Sequence, residues 1–353
     1  MSSRARRGGL SPARRLIIIL ASAAATLAAA VVLFLVWAVW SYQGPGPAAK
    51  SGEVTVVMLR KGAGVSEIAA TLKRAGVVRS DAIFAAAAQI TGAARSLKAG
   101  EYEFRTRASM ASVLDDIRDG RIVVHQITVP EGMTSEAVVE ALAAKSELTG
   151  VAPAPPEGSI LPETYQFERG EDRAAVLKRM MDAREELLGL LWSKRQPGLP
   201  IATPDEAVTL ASIVEKETGV ASERPRVAAV FVNRLRAGMR LESDPTIIYG
   251  LTGGKPLGRG LRASELAQPN PYNTYQIDGL PPTPIANPGR AALAAVLDPP
   301  KSDALFFVAD GTGGHVFAAT YDEHLKNVDR WRAIERQREV EALKDRAQAL
   351  KER

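Results

Sequence analysis

The chain contains no cysteine in its 353 residues. Disulfides, thiolate nucleophiles and Cys-ligated metal sites are therefore excluded outright. Histidine is nearly as scarce, and His315 and His324 lie at neither metal nor triad spacing, so both read as structural or surface residues. No phosphate-binding glycine fingerprint is present, and no lysine has the context of a cofactor Schiff base. No cofactor and no metal are expected. The chain also lacks a domain-wide basic footprint. Its net charge of +5 is carried by Arg4, Arg6, Arg7, Arg14 and Arg15, and the first acidic residue is Glu53. The remainder is balanced, which argues against nucleic acid as a partner.

Apolar sequence, by contrast, is plentiful at the start. Leu16 to Trp40 is an unbroken apolar and small-residue run, interrupted only by Ser22 and Thr26. As a helix it would reach roughly 37 Å, more than the roughly 30 Å hydrocarbon core of a bilayer. A cleaved leader has an apolar region of only about 7–15 residues, so the run reads as a retained single-pass anchor rather than one cut near Ala48 or Ala49. Trp37 and Trp40 fall where an aromatic belt belongs, and the five preceding arginines place the N-terminus inside the cell. The bulk of the chain is then extracytoplasmic.

After this anchor, Ser41 to Gly52 (SYQGPGPAAKSG) is rich in Gly and Pro and reads as a tether. Val54 to Leu59 reads as a strand, Ser66 as the cap of a helix bearing Ile68, Ala69 and Leu72, and Ser80 as the start of another. Gly100 to Arg105 alternates like a strand, and Ser109 to Arg118 is helical again. This βααβ order resembles a LysM module, a small glycan-binding fold, and also suits a plain spacer domain. A weak repeat relates Arg60–Leu72 to Pro130–Leu142, each a glycine turn feeding a helix. Gly150 to Tyr165 is loop-like, Asp172 to Lys194 is helical, and Asp322 to Arg353 should be a long charged surface helix.

The stretch of most chemical interest is Thr203 to Gly219. Thr203 is an N-cap, Pro204 the first helical residue, Glu206 the capping-box partner, and Gly219 a C-terminal stop. At about 100° per residue, Ala207, Leu210, Ala211 and Val214 form the apolar face, with Thr218 in line and Lys216 opposite, in solvent. Glu215 and Glu217 fall on the two flanks. Glu217 continues the 207–210–214 row, which favours it narrowly as the inward carboxylate; a solvated helix end with an acid–base pair fits the helix taken alone. The chemical interest is that a glutamate against an apolar wall stays protonated near neutrality and can act as a general acid. Glycosidic cleavage needs such an acid. Hydrolysis normally adds a second carboxylate, whereas an internal sugar hydroxyl can attack without one.

Downstream, Asp244 reads as the N-cap of a short helix starting at Pro245, and is also the best candidate for a second carboxylate. Pro271 to Tyr275 (PYNTY) offers Tyr272, Asn273 and Tyr275 on a proline-stiffened loop, chemistry that suits a sugar's apolar face and hydroxyls as well as core packing. Gly279 to Gly289 is a rigid loop expected to wall a groove. Asn233 and Arg234 sit on a helix from near Ser222, Arg234 reading first as a structural ion pair. Asp310 to Gly314 is a tight connection between strands Leu305–Ala309 and His315–Ala318.

Four long motifs occur in one order between Leu210 and Phe317: LASIVEKET, SERPRVAAVFVNRLRAGMRLESDPTIIYG, PYNTYQIDGLPPTPIANPG and FFVADGTGGHVF. With the anchor, the LysM-like module, PEGMT and LPETY, the chain resembles the MltG (YceG-like) endolytic murein transglycosylases over essentially its whole length. Glu163 stands where the family more often has Asp, which bears on the geometry of the LPETY loop. The resemblance implies an α+β ectodomain: an N-terminal transmembrane helix, a LysM-like βααβ module, and a mixed α+β catalytic domain. The expected segments are a basic tail (1–15), anchor (16–40), tether (41–52), LysM-like module (53–125), connecting subdomain (126–200), catalytic domain (201–321) and C-terminal helix (322–353). It implies Glu217 as the catalytic residue, with Thr218 beside it as in lysozyme-like lytic transglycosylases, and Glu215 as the alternative. Asp244, Tyr272, Asn273 and Tyr275 are the accompanying candidate substrate contacts. The implied reaction opens the bond between N-acetylmuramic acid and N-acetylglucosamine in peptidoglycan and leaves 1,6-anhydro ends. The implied partners are glycan strands, the lipid bilayer and cell-wall synthases, with the catalytic domain on the outer face of the plasma membrane.

Overall fold

The fold is that of a computed structural model, which describes residues 12–351. Arg4, Arg6, Arg7 and most of the expected basic tail lie outside the described residues. The chain divides into two compact units, up to Val124 and from His125.

The first unit opens with α1 (Pro12–Gln43), followed by β1 (Val54–Leu59), α2 (Val65–Ala75), α3 (Asp81–Ile90), β2 (Gly100–Arg105) and α4 (Met110–Asp119). Leu16–Gln43 of α1 is long and apolar enough to cross a membrane, and none of its most apolar stretch is buried in protein. The βααβ order is present: β1 and β2 pair antiparallel, with Val57 opposite Tyr102 and Val54 opposite Arg105. Their inner faces close on Leu72, Phe84, Val113 and Ile117. Ser80 and Ser109 cap α3 and α4 as expected, but α2 begins one residue before Ser66, at Val65, with Gly64 at the cap position. The Gly/Pro stretch after the anchor is not a free spacer. Gly46 N–H donates to Arg107 O (3.1 Å), Arg107 N–H to Pro47 O (3.0 Å), and Ala49 N–H to Thr106 Oγ1 (2.9 Å). Proline-rich composition disfavours helix, yet it leaves carbonyls free to pair with a neighbouring loop.

The second unit comprises β3 (His125–Thr128), α5 (Ser135–Ala143), β4 (Thr164–Phe167), α6 (Arg173–Ser193), α7 (Pro204–Glu217), α8 (Arg224–Arg236), α9 (Asp244–Thr252), α10 (Ala263–Ala267), α11 (Arg290–Leu297), β5 (Phe306–Ala309), β6 (His315–Ala318) and α12 (Tyr321–Lys351). LPETY, loop-like in sequence, instead runs into β4, which pairs with β3; Ile127 faces Tyr165 across the pair. Glu163 is exposed, and it is its backbone carbonyl that accepts from Val129 N–H at 3.0 Å, so the departure at this side chain leaves the strand entry intact. Helix α6 serves two cores. Val176, Leu177 and Met180 pack with β3, β4 and α5, while Leu187 and Leu188 join α7, α8 and α11.

At the centre is α7, buried continuously from Ala207 to Glu215. Its start is as the sequence dictates: Thr203 accepts from Glu206 N–H, Glu206 returns the capping box, and Pro204 stands in the first turn. Small residues let neighbours approach closely, and Ser212 Oγ accepts from Ile285 N–H at 3.0 Å, fastening the proline-rich loop to the helix. The helix ends without a left-handed glycine. Thr218 is already extended (φ −137°, ψ 130°), so Glu217 is its last helical residue.

Candidate active site

The two flanking glutamates of the triplet have opposite fates. Glu215 is buried and fully engaged: Arg224 Nη2 donates to its Oε1 (2.9 Å) and Gly289 N–H to its Oε2 (2.9 Å). Arg224 also donates to Glu131 of the PEGMT turn at 2.7 Å. Gly289 lets its loop lie against this pair, since a Cβ there would displace the Glu131 side chain. Burial pushes the Glu215 pKa up, and the Gly289 amide and Arg224 oppose it. This carboxylate ties three segments together. Lys216 is exposed, as periodicity requires.

Glu217 faces the other way and is half-buried. Ser243 Oγ donates to its Oε1. Its pKa is raised to about 7, chiefly by burial; the Ser243 hydrogen bond lowers it, the charge of Asp244 raises it, and His315 and Arg234 lower it. A C-terminal helix position has the same sense, since the negative end of the helix dipole disfavours a carboxylate. The result is a carboxyl that holds a proton near neutrality while remaining within reach of solvent.

The loop that supplies Ser243 is held under strain. Glu242 has φ 53°, in the left-handed region, a conformation that costs a non-glycine residue about 1–3 kcal/mol. Glu242 N–H donates to Thr274 O (3.1 Å), and Arg234 donates to Glu242 Oε2 (3.0 Å), Leu241 O (3.0 Å) and Leu305 O (2.7 Å). Arg234 is thus the structural ion-pair residue expected, and Asn233 likewise donates to Ser302 O and Ala304 O. Behind Ser243 lies a buried hydroxyl cluster, in which Ser243 N–H donates to Thr274 Oγ1 (2.9 Å) and Thr246 Oγ1 donates to Ser243 O (2.7 Å).

Asp244 departs from the sequence reading. Ser243, not Asp244, occupies the N-cap position of α9, Asp244 is the first helical residue, and no side chain caps the helix. The Asp244 carboxylate is exposed and accepts from Tyr275 Oη at 2.8 Å. Tyr275 is therefore at the site, and burial followed by the Asp244 charge drives its phenol pKa up. Two other expected contacts are turned inward. Thr218 is 3 % exposed, and its hydroxyl accepts from Val220 N–H (3.0 Å) and donates to Glu223 Oε2 (3.4 Å). Asn273 has no exposed surface: Nδ2 donates to Leu266 O (3.0 Å) and Gln268 O (2.9 Å), and Oδ1 accepts from Tyr275 N–H (3.1 Å). It shapes the PYNTY loop instead of lining the site. Tyr272 is partly buried, packing on Tyr249 with ring centroids 5.0 Å apart, its hydroxyl 2.8 Å from Thr283 Oγ1. His324 stacks on Phe306 (5.1 Å), a packing role.

Several residues of the site carry no periodic signal and escape sequence reading. Ser243 and Arg224 are two. Asn287 is a third: fully buried, it accepts from Ile160 N–H (2.9 Å) and donates to Met133 O (2.9 Å), joining the 284–289 loop to the PEGMT turn and to the 158–160 segment. Their only trace in the sequence is that each lies inside one of the motif stretches. Among the described residues no cluster of His, Asp and Glu could hold a metal ion.

A family model described as the YceG-like family matches residues 57–330. A Bacillus subtilis (strain 168) protein named endolytic murein transglycosylase is 28 % identical over 319 residues, covering 81 % of this chain and 87 % of that protein. A protein of the same name from Streptococcus pneumoniae (strain ATCC BAA-255 / R6) is 30 % identical over 330 residues, covering 79 % of this chain and 59 % of the relative. Among solved structures, a 2.6 Å crystal structure of a yceG-like protein from Listeria monocytogenes is 28 % identical, covering 78 % of this chain and 99 % of that one at a TM-score of 0.48. The family match spans most of the sequence, including every residue around Glu217 described above: the chain belongs to the YceG-like family.

Proposed function

We propose that this chain is a membrane-anchored endolytic murein transglycosylase, a lyase that cuts peptidoglycan glycan strands internally between N-acetylmuramic acid and N-acetylglucosamine. The observation that carries the assignment of the acid is the raised pKa of Glu217, about 7, at a half-buried helix end within a family whose relatives bear that name. Glu217 protonates the glycosidic oxygen as the C–O bond breaks. The resulting carboxylate then takes the proton of the muramic acid C6 hydroxyl as its oxygen closes on C1, giving the 1,6-anhydro ring. Glu217 ends protonated and no water is consumed. Asp244 and Tyr275 flank this residue, and the charge of Asp244 helps Glu217 keep its proton. Arg224 and Glu215 hold the helix end in place.

The α1 anchor supports attachment to the plasma membrane. The arginines before it support a cytoplasmic N-terminus, hence an active domain on the outer side next to nascent strands and their synthases. The βααβ unit suits a LysM-like role in holding glycan.

A hydrolytic muramidase is the rival reading, because Asp244 is not engaged as a helix cap and lies near enough to act on Glu217. Mass spectrometry of digested glycan strands separates the two. Anhydro ends are expected; reducing ends heavier by one water would sink the lytic assignment. Glu217→Gln should abolish release of products with folding retained. Cleavage lost in Glu215→Gln but kept in Glu217→Gln would reassign the acid.

A further inference from the structure

The turn between β5 and β6 delivers His315 in a defined way. Asp310 closes the turn, its Oδ1 accepting from Thr312 N–H (2.7 Å) and Gly314 N–H (3.2 Å). Gly314 lets the turn press against Glu223, since a Cβ there would stand 2.7 Å from Glu223 Oε1. Glu223 occupies the N-cap position of α8 but does not cap it. Both of its oxygens serve His315: the backbone N–H donates to Oε1 (2.8 Å), and ring Nδ1 is 2.8 Å from Oε2. Thr218, the residue after Glu217, donates to the same Oε2. Burial alone would raise the Glu223 pKa, but these hydrogen bonds prevail and hold it below the usual carboxylate range.

An ionised carboxylate can only accept, so Nδ1 carries a proton. In the neutral ring Nε2 is then unprotonated and an acceptor. The ring stands edge-on to Phe307 (5.3 Å, 89°) and is 18 % exposed. Nε2 makes no hydrogen bond to any described residue and is not sealed from solvent. The Glu223 oxygen that faces Nδ1 also accepts from Thr218, the residue next to Glu217, which places the ring on the Glu217 side of the turn. Around it stand Glu223 at the start of α8, Asp310 just beyond β5 and Glu217 at the end of α7.

We propose that Glu223 presents His315 Nε2 as an unprotonated acceptor beside Glu217, where it takes a hydrogen bond from a hydroxyl or amide N–H of the bound sugar. The inference rests on Glu217 being the acid of this site. His315 is then a substrate-contacting residue and Glu223 a positioning residue that sets its tautomer. The tautomer is also where the pair is vulnerable. In Glu223→Gln the amide oxygen must face the His315 backbone N–H, which can only donate. The amide NH2 therefore faces Nδ1, which becomes the acceptor and sends the ring proton to Nε2. The outward nitrogen changes from acceptor to donor with almost no change in shape.

The test uses the full chain in nanodiscs with 15N-labelled histidine rings, read on the alkaline side of the His315 titration as its own 15N shifts define it. His315→Asn identifies the His315 signal among the three histidines. The parent should show Nδ1–H, and Glu223→Gln should show Nε2–H. With purified sacculi as substrate, kcat/KM for anhydro-end release should fall on the order of tenfold in Glu223→Gln and in His315→Asn. His315→Asn keeps a donor for Glu223 at the Nδ1 position and loses only the outer nitrogen, so a purely structural role predicts parental activity for it. His315→Gln, with a polar group at the Nε2 position, should recover part of the loss. The proposal is overturned by a parent ring protonated on Nε2, by Glu223→Gln leaving the tautomer unmoved, by a moved tautomer with cleavage unaltered, or by His315→Asn cleaving at the parental rate. Failure of the underlying reading is a separate result: Glu217→Gln would retain cleavage whatever the histidine variants do.

Discussion

Ser243→Ala isolates the one hydrogen bond that favours the ionised form of Glu217. Ser243 is buried, its hydroxyl donates to Glu217 Oε1, and it performs no capping for α9, so its loss leaves the helix start unchanged. Its backbone N–H keeps Thr274 as partner. A hydrogen bond to a charged group contributes about 1.5–3 kcal/mol, and about 1.4 kcal/mol corresponds to one pKa unit. Removing it should therefore raise the Glu217 pKa from about 7 by roughly one to two units. Burial and the Asp244 charge push in the same direction and persist, as do the opposing charges of His315 and Arg234. If protonated Glu217 starts the reaction, kcat/KM for anhydro-end release falls as pH rises through this pKa. The alkaline limb of the profile should move upward by that amount, and the variant should outperform its own neutral-pH rate relative to the parent at alkaline pH. The assay is release of anhydro-terminated fragments from sacculi across the pH range, with circular dichroism confirming the fold at each point. A limb that stays in place, or moves to lower pH, would refute the electrostatic account of the site.

Three further outcomes follow from the same geometry. Because the folded pKa of Glu217 lies above the ordinary glutamate value of 4.5, the folded state binds the extra proton between the two values. Stability therefore falls as pH rises through that window, by up to about 3 kcal/mol, and the loss persists above it. Glu217→Gln should accordingly raise the thermal midpoint at alkaline pH and leave it nearly unchanged near pH 4, which differential scanning calorimetry can read. Glu215→Ala strands the buried Arg224 with Glu131 alone, and breaking such a pair costs about 3–5 kcal/mol, so its thermal midpoint should drop by on the order of 10 °C. Asp244→Asn removes a charge that keeps Glu217 protonated; its alkaline limb should shift to lower pH while the products remain anhydro-terminated, and abolished cleavage at every pH would favour the hydrolytic rival.

The local chemistry of several elements is legible without coordinates. Thr203, Pro204 and Glu206 start α7 because capping is a contact between residues three apart, and Ser80 and Ser109 start α3 and α4 for the same reason. The apolar run of α1 needs only length and composition. Periodicity also places Lys216 outward and leaves two glutamates on the flanks. Those are statements about direction relative to a helix axis, and there the sequence stops.

What each flanking glutamate meets is a matter of partners brought from far along the chain. Glu215 is neutralised by Arg224 and by Gly289, 74 residues away, whereas Glu217 meets Ser243, 26 residues away. The same reason moves Thr218 and Asn273 from expected substrate contacts to internal fasteners. A side chain's chemistry says which hydrogen bonds it can make, but only packing says with whom. Ser243 and the Glu223–His315 pair show the converse, residues unremarkable in their own segments that the fold carries to Glu217. So the sequence by itself determined the long apolar N-terminal helix, the start of α7 and the pair of candidate carboxylates. The tertiary structure alone decided which of them is held by an ion pair and which has its pKa raised to about 7, because a pKa depends on the dielectric and charges around a group rather than on its neighbours in the chain.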